Sequence, residues 1–282
     1  MYVAIKGSGH AILFLHGIPT SSALWNGVVE QVSNRFQCIA VDLPGLGKTP
    51  AIKEGFRNLP RLAEMLDDVR IEHKIRKWHI VGHDAGCALA VHYARRFPDR
   101  VAHLALLSPS MFPDLKPFYL FELLRKPVLG ELLAPAVNLL FWRIAMRLAT
   151  GQHCTVSDFE APFRGPEGSW RLMSLLRWGD PADVLAAIPS LLPGILTPTL
   201  IFHGSKDPAV PEAFARRASN LMPNSELILL NSGHFLPITE PEAVAKELAA
   251  FFSSDRSLVA AGDPARTDIL DATLRAGNAS WD

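Results

Sequence analysis

Position 84 is an aspartate in Val81-Gly82-His83-Asp84-Ala85-Gly86, between an apolar run and a helical pattern. A G-x-nucleophile-x-G segment in that setting makes a sharp turn that lifts one side chain above a sheet. Its neighbours must be small because the backbone passes close to itself. A carboxylate held there is already ionised at neutral pH, so it can attack a saturated carbon without first losing a proton. Further along, Phe202-His203-Gly204-Ser205-Lys206-Asp207-Pro208 ends one apolar run with an acid, and Asn231-Ser232-Gly233-His234-Phe235 ends the next with a histidine. The order nucleophile, acid, histidine assigns Asp84, Asp207 and His234 to a triad. His234, oriented by Asp207, would activate water against an ester formed on Asp84. Separately, Asp84 could be a helix cap, Asp207 a solvated acid and His234 a loop residue. That reading leaves their order at successive strand ends unexplained.

The loop Leu15-His16-Gly17-Ile18-Pro19 follows the first core run and is placed to lend a backbone N–H to an oxyanion hole. Its donor is Ile18, and the second is Ala85, directly after the nucleophile. His16 reads first as a structural histidine hydrogen-bonded beneath that loop. His16 and His83 remain candidate pocket residues, together with Tyr119, Trp142 and Trp170.

These loops need a scaffold. Strands are expected over Ala11–Leu15, Phe36–Val41, Trp78–Val81, Val101–Leu107, Thr199–Phe202 and Glu226–Leu230, from short apolar runs bounded by turn residues. Helices are expected over Ser21–Val32, Leu59–His73 and Ala85–Phe97. Alternation of this kind makes an α/β fold with a mostly parallel sheet and helices on both faces. From Met111 to Pro193 the strand pattern stops, and the segment is helical, aromatic and broken by prolines. The expected division is therefore a core of residues 1–110 and 194–253, an inserted helical cap of 111–193, and a tail of 254–282 that either forms a short helix at Asp268–Arg275 or stays disordered. A cap lies over the carboxyl edge of such a sheet, where open α/β sheets bind ligands. The first core strand is expected at Ala11, with an N-terminal edge strand missing before it.

Composition excludes several classes. The chain has 28 Lys plus Arg against 28 Asp plus Glu, so no net field favours nucleic acid or an anionic membrane. The greasiest stretch, Leu132 to Met146, is interrupted by Pro135, Asn138 and Arg143 and falls short of a span. Met1-Tyr2-Val3-Ala4-Ile5-Lys6-Gly7 lacks the pattern of a secretory signal. Cys38, Cys87 and Cys154 are widely spaced, which fits reduced thiols in a cytoplasmic protein rather than a zinc site or a disulfide frame. The reading is thus a cytoplasmic enzyme with no metal, no cofactor, no nucleic-acid partner and no membrane. Gly45-Leu46-Gly47-Lys48-Thr49 is not a phosphate-binding loop, because Asp42 stands where that motif needs glycine.

His16-Gly17-Ile18-Pro19, Asp42-Leu43-Pro44-Gly45-Leu46-Gly47, Gly82-His83-Asp84-Ala85-Gly86, Asp207 and His234 resemble the α/β-hydrolase superfamily over about residues 8 to 253. Aspartate at position 84 resembles its epoxide hydrolase and haloalkane dehalogenase branch, and His16 to Trp25 is similar to the dehalogenases. The chain departs from both patterns. The resemblance implies halide donors, Asn at position 18 and Trp at position 85, where this chain has Ile18 and Ala85. Fluoroacetate dehalogenases carry Arg after the nucleophile, which Ala85 excludes. Epoxide hydrolases use a pair of cap tyrosines, whereas Tyr119 is the tyrosine of the insertion.

The apolar insertion points to a hydrophobic small-molecule substrate. The leading expectation is epoxide hydrolysis through an Asp84 ester, with Tyr119, or else a histidine such as His153 or water, as acid. Haloalkane dehalogenation is the alternative. A lyase, cyclase or isomerase with Asp84 as acid or base, and a binding protein on a hydrolase scaffold, are the readings from other classes.

Overall fold

The computed structural model describes residues 1–52, 57–116, 119–150, 156–165, 167–177 and 181–254. His153, Cys154, Trp178 and the expected tail helix lie outside them.

The described residues form one sheet with the order β1-β3-β2-β4-β5-β6-β7. The strands are β1 Tyr2–Lys6, β2 His10–Leu15, β3 Phe36–Asp42, β4 Trp78–His83, β5 Val101–Leu107, β6 Thr199–Gly204 and β7 Ser225–Leu230. From β3 to β7 every pairing is parallel, and the central strands are buried on both faces, which is why they read as unbroken apolar runs. The missing edge strand is present after all. β1 pairs antiparallel with β3, from Tyr2↔Asp42 to Lys6↔Cys38. It was overlooked because a short, half-buried edge strand ending in lysine carries little hydrophobic signal.

Helices cover the sheet. α1 (Asn26–Val32) and α13 (Pro241–Ser253) pack together, and α13 turns Val244, Leu248 and Phe252 inward. α2 (Leu59–Glu72) begins where the Asn58 side chain accepts the Arg61 N–H at 3.0 Å. It buries Leu62, Leu66 and Val69, spaced as one helical face. α3 (Ala85–Arg96) starts on the residue after Asp84, and its small side chains bury against the sheet. Asp67 of α2 ties this layer together through Arg70, the Tyr93 hydroxyl and Arg100.

Between β5 and β6 the described elements are all helical: α4 Tyr119–Arg125, α5 Leu129–Leu140, α6 Met146–Thr150, α7 Ser157–Glu160, α8 Gly168–Leu176, α9 Pro181–Leu185 and α10 Ile188–Leu191. A π-helical turn, Phe141–Ala145, joins α5 to α6. The Arg177 guanidinium reaches the Leu124 carbonyl at 3.1 Å and the Lys126 carbonyl at 3.0 Å, clamping α8 to the α4–α5 corner. The insertion meets the core where the Ser21 hydroxyl donates to the Asp158 carbonyl at 3.4 Å. Ser21 follows the exit of β2, so this contact lies at the carboxyl edge of the sheet. α11 (Glu212–Leu221) and α12 (Leu236–Thr239) complete the core.

Parallel register brings the strand exits together. Leu15 pairs with Gly82, His83 with Leu107, Leu107 with Phe202, and Gly204 with Leu230. The loops carrying Ile18, Asp84, Ser110, Asp207 and His234 all leave from that edge.

Candidate active site

Asp84 has φ +51° and ψ −123°, a conformation that L side chains rarely adopt. Such a residue costs on the order of 1–3 kcal/mol, so its surroundings must enforce it. Its N–H donates to the Leu107 carbonyl and its carbonyl accepts the Cys87 N–H, each at 3.0 Å. The turn therefore hangs between β5 and the first turn of α3. Two close approaches allow it. A Cβ on Gly86 would lie 2.6 Å from the Leu15 carbonyl oxygen, and one on Gly17 would lie 2.4 Å from the Asp84 Cβ.

The carboxylate faces a ring of donors. The Ile18 N–H donates to Oδ2 at 3.1 Å. The Ala85 N–H and the Ser110 side chain also lie close enough to favour its charged form. Burial pushes the Asp84 carboxyl above the usual carboxylate range; nearby His234 and these donors oppose that without cancelling it. The Asp84 side chain stays 14% exposed, enough for a reactant to reach it.

Asp207 is fully buried, and its Oδ1 accepts the Ala209 and Val210 N–H groups at 2.8 and 2.9 Å. Burial alone would raise it. The His234 hydrogen bond and charge, with those N–H groups, outweigh burial and hold it at about 2. Its Oδ2 lies 2.8 Å from His234 Nδ1. A carboxylate there requires the proton on Nδ1, so Nε2 keeps its lone pair. That Nε2 lies 3.9 Å from Asp84 Oδ1, beyond hydrogen-bond length. Burial lowers the affinity of His234 for a proton, but the Asp207 hydrogen bond and the charges of Asp207 and Asp84 leave it raised.

The remaining candidates divide sharply. His16 accepts the Leu43 N–H on Nε2 at 3.0 Å and donates from Nδ1 to the Gly17 carbonyl at 2.9 Å. Both nitrogens are used, and burial lowers it to about 4. It is a neutral peg between two loops. His83 donates from Nε2 to the backbone carbonyl of His234 at 2.9 Å, and Ser108 donates to the same oxygen at 3.3 Å. His83 thus positions the histidine loop and does not reach the carboxylate. Trp142 gives its indole N–H to Asn138 at 2.8 Å and stacks on Phe163, so it holds the insertion together. Tyr119 and Trp170, expected in the pocket, instead stand 75% and 61% exposed on the surface of the insertion. Aromatic type cannot show which way a surface helix turns.

Ser110 escaped the sequence reading. The signal was Ser108-Pro109-Ser110 directly after a core strand, a polar loop at the same edge as the other exits. Cys87, beneath Asp84, places its thiol against the Gly82 and Leu107 carbonyls, and burial pushes it well up, so it is no competing nucleophile. Among the described residues no His, Cys, Asp and Glu cluster could hold a metal ion.

Comparison with known proteins places this geometry. Residues 10–241 match the model of the alpha/beta hydrolase fold family. A haloalkane dehalogenase of Mesorhizobium japonicum is 31% identical over 89% of this chain and 86% of its own length. A cis-3-alkyl-4-alkyloxetan-2-one decarboxylase of Shewanella oneidensis is 25% identical, over 92% of this chain and 87% of its own. The crystal structure of an ancestral haloalkane dehalogenase superposes with a TM-score of 0.73 at 28% identity, covering 89% of this chain and 94% of that one.

Proposed function

The chain belongs to the α/β-hydrolase superfamily, in its haloalkane dehalogenase and epoxide hydrolase-like branch, and on that premise we propose that it hydrolyses apolar substrates through a covalent ester on Asp84. The observation that carries this is the Asp84 carboxylate itself: on the strained turn, 3.1 Å from the Ile18 N–H, facing a histidine whose far nitrogen is held by a buried acid.

The steps follow from that arrangement. An Asp84 oxygen attacks a saturated carbon, and the bond from that carbon to the leaving group breaks with its electron pair. The new ester is neutral, so one of the charges raising His234 disappears. The ring is then held neutral, with Nε2 available for the second step, in which it takes a proton from water as the water oxygen adds to the ester carbonyl. The Ile18 and Ala85 N–H groups receive the developing oxyanion. Collapse releases an alcohol bearing the original Asp84 oxygen and leaves a solvent oxygen in the carboxylate.

A halide is the leaving group best supported. Two of the three relatives above are named haloalkane dehalogenases, and the tyrosine expected to protonate an epoxide oxygen faces solvent. Ile18 and Ala85 bring no side-chain donor for halide, which predicts weak halide retention; the Ser110 hydroxyl is the nearby donor. The decarboxylase relative supports a second reading, in which Asp84 attacks a strained lactone.

A single turnover in heavy-oxygen water with a panel of chloro- and bromoalkanes, epoxides and β-lactones tests this. The peptide containing Asp84 should gain label while the first alcohol does not. His234→Ala should accumulate the alkylated protein. An unlabelled peptide after confirmed turnover would sink the covalent reading.

A further inference from the structure

α5, the π-helical turn and α6 make one helical run, Leu129–Thr150, of 22 residues. It is apolar enough to be a core helix, yet only 28% of its most apolar stretch is buried. Its inward face carries Ala134, Val137, Asn138, Trp142 and Met146 and packs into the insertion. The outward face repeats the same helical spacing with Leu132, Leu140, Ile144 and Leu148, which are 74%, 52%, 52% and 80% exposed. A helix apolar on every side belongs inside something, and a contiguous exposed stripe marks a surface that meets a partner.

Charge identifies the partner. Arg143 and Arg147 are exposed within this stripe, and among the described residues neither has an ion-pair partner. The acid of the run, Glu131, is taken by Arg177. A two-fold contact between copies through this face would bring the arginines of both together with no free acid to pair them. Anionic headgroups would pair them, while the leucines enter the acyl boundary. The same insertion exposes Tyr119 and Trp170, residue types that settle at a membrane–water interface.

We propose that the Leu129–Thr150 face docks the protein on an anionic lipid bilayer, with the helix lying in the interfacial plane. The run does not span: the Asn138 amide donates to the Phe163 carbonyl and the Trp142 ring stacks on Phe163, contacts of its inner face with the insertion that a span would break. Balanced overall charge and the interruptions at Pro135, Asn138 and Arg143 argued against a membrane from the sequence. Net charge sets only the global field and the interruptions bear only on spanning, so a local stripe is compatible with both. The docking is independent of the chemistry at Asp84.

Flotation of the full chain with phosphatidylcholine vesicles, with and without phosphatidylglycerol, is the test. The wild type should float with the anionic vesicles. Replacing Leu140, Ile144 and Leu148 together by Ser should weaken binding by on the order of tenfold or more. Arg143→Gln with Arg147→Gln should cost about fivefold per arginine and flatten the salt dependence. All these side chains are exposed, so circular dichroism and the melting temperature should not change. Three outcomes overturn the proposal: a wild type that stays with the soluble fraction, flotation untouched by either variant, or a dimer that the Ser variant dissolves and vesicles do not.

Discussion

β4 carries a histidine at each end of the sheet, and the two ends use imidazole in opposite ways. At the carboxyl end, His83 lies with ring centres 4.8 Å from His234. At the amino end, His79 lies 5.0 Å from His103 of β5, with the Nδ1 atoms 3.1 Å apart. Both pairs sit among apolar rings, and burial lowers His79 and His83 alike to about 3. The difference is acid. His234 meets Asp207 and Asp84, which raise it despite burial. His79 meets His103, His10 and Lys77, which lower it further, and stacks on Phe252 at 4.3 Å. A histidine pair becomes a proton-transfer device only where loops deliver carboxylates, and in a parallel sheet those loops gather at the carboxyl edge.

The sharpest way to break this contrast is to take the acid from the upper pair. Asp207→Asn offers His234 an amide in place of a carboxylate and favours the tautomer with its proton on Nε2. Hydrolysis of the ester should slow by roughly 10³- to 10⁴-fold, as expected for a lost orienting acid, while alkylation of Asp84 proceeds. Turnover kinetics with intact-mass measurement separates the steps. Activity within tenfold of wild type would place the lower and upper pairs in the same class.

The next effect is on stability. His79 is neutral in the fold down to about 3, whereas the unfolded chain takes a proton near 6.5. Because the unfolded state binds the extra proton, stability present above pH 6.5 is lost as pH falls from 6.5 toward 3. Between about pH 7.5 and about pH 5 the loss should be about 2 kcal/mol. Urea unfolding of wild type and His79→Phe at both pH values measures it. The variant should lose less, with turnover rates at neutral pH unchanged. An identical pH dependence would remove His79 as the acid-sensitive group.

The smallest effect sharpens the contrast between core edge and insertion. Tyr119→Phe should change turnover of any accepted substrate by less than about twofold, since its side chain is 75% exposed. A larger loss, measured with an epoxide, would return Tyr119 to the site and epoxide opening to the lead.

Much of the core was legible one residue at a time. Strands buried on both faces leave apolar runs, and turns that force backbones together leave Gly17, Gly82 and Gly86, because a Cβ at any of them would strike its neighbours. The turn that carries Asp84 was visible because its strained geometry demands that local spelling. The edge strand β1 was not, since half of its bonding surface faces away from the sheet and asks little of its side chains. Three further matters were decided only in three dimensions. Ser110 lies near Asp84 because β5 ends beside β4, a pairing no local pattern records. His16 and His83 look alike in sequence to His234, and only their partners separate a peg from the ring that faces two carboxylates. Tyr119 and Trp170 have the composition of a pocket lining, but aromatic type alone does not say which face of α4 or α8 turns outward. Sequence determines what local geometry a backbone must adopt; which buried groups meet is set by the packing of distant elements against one another.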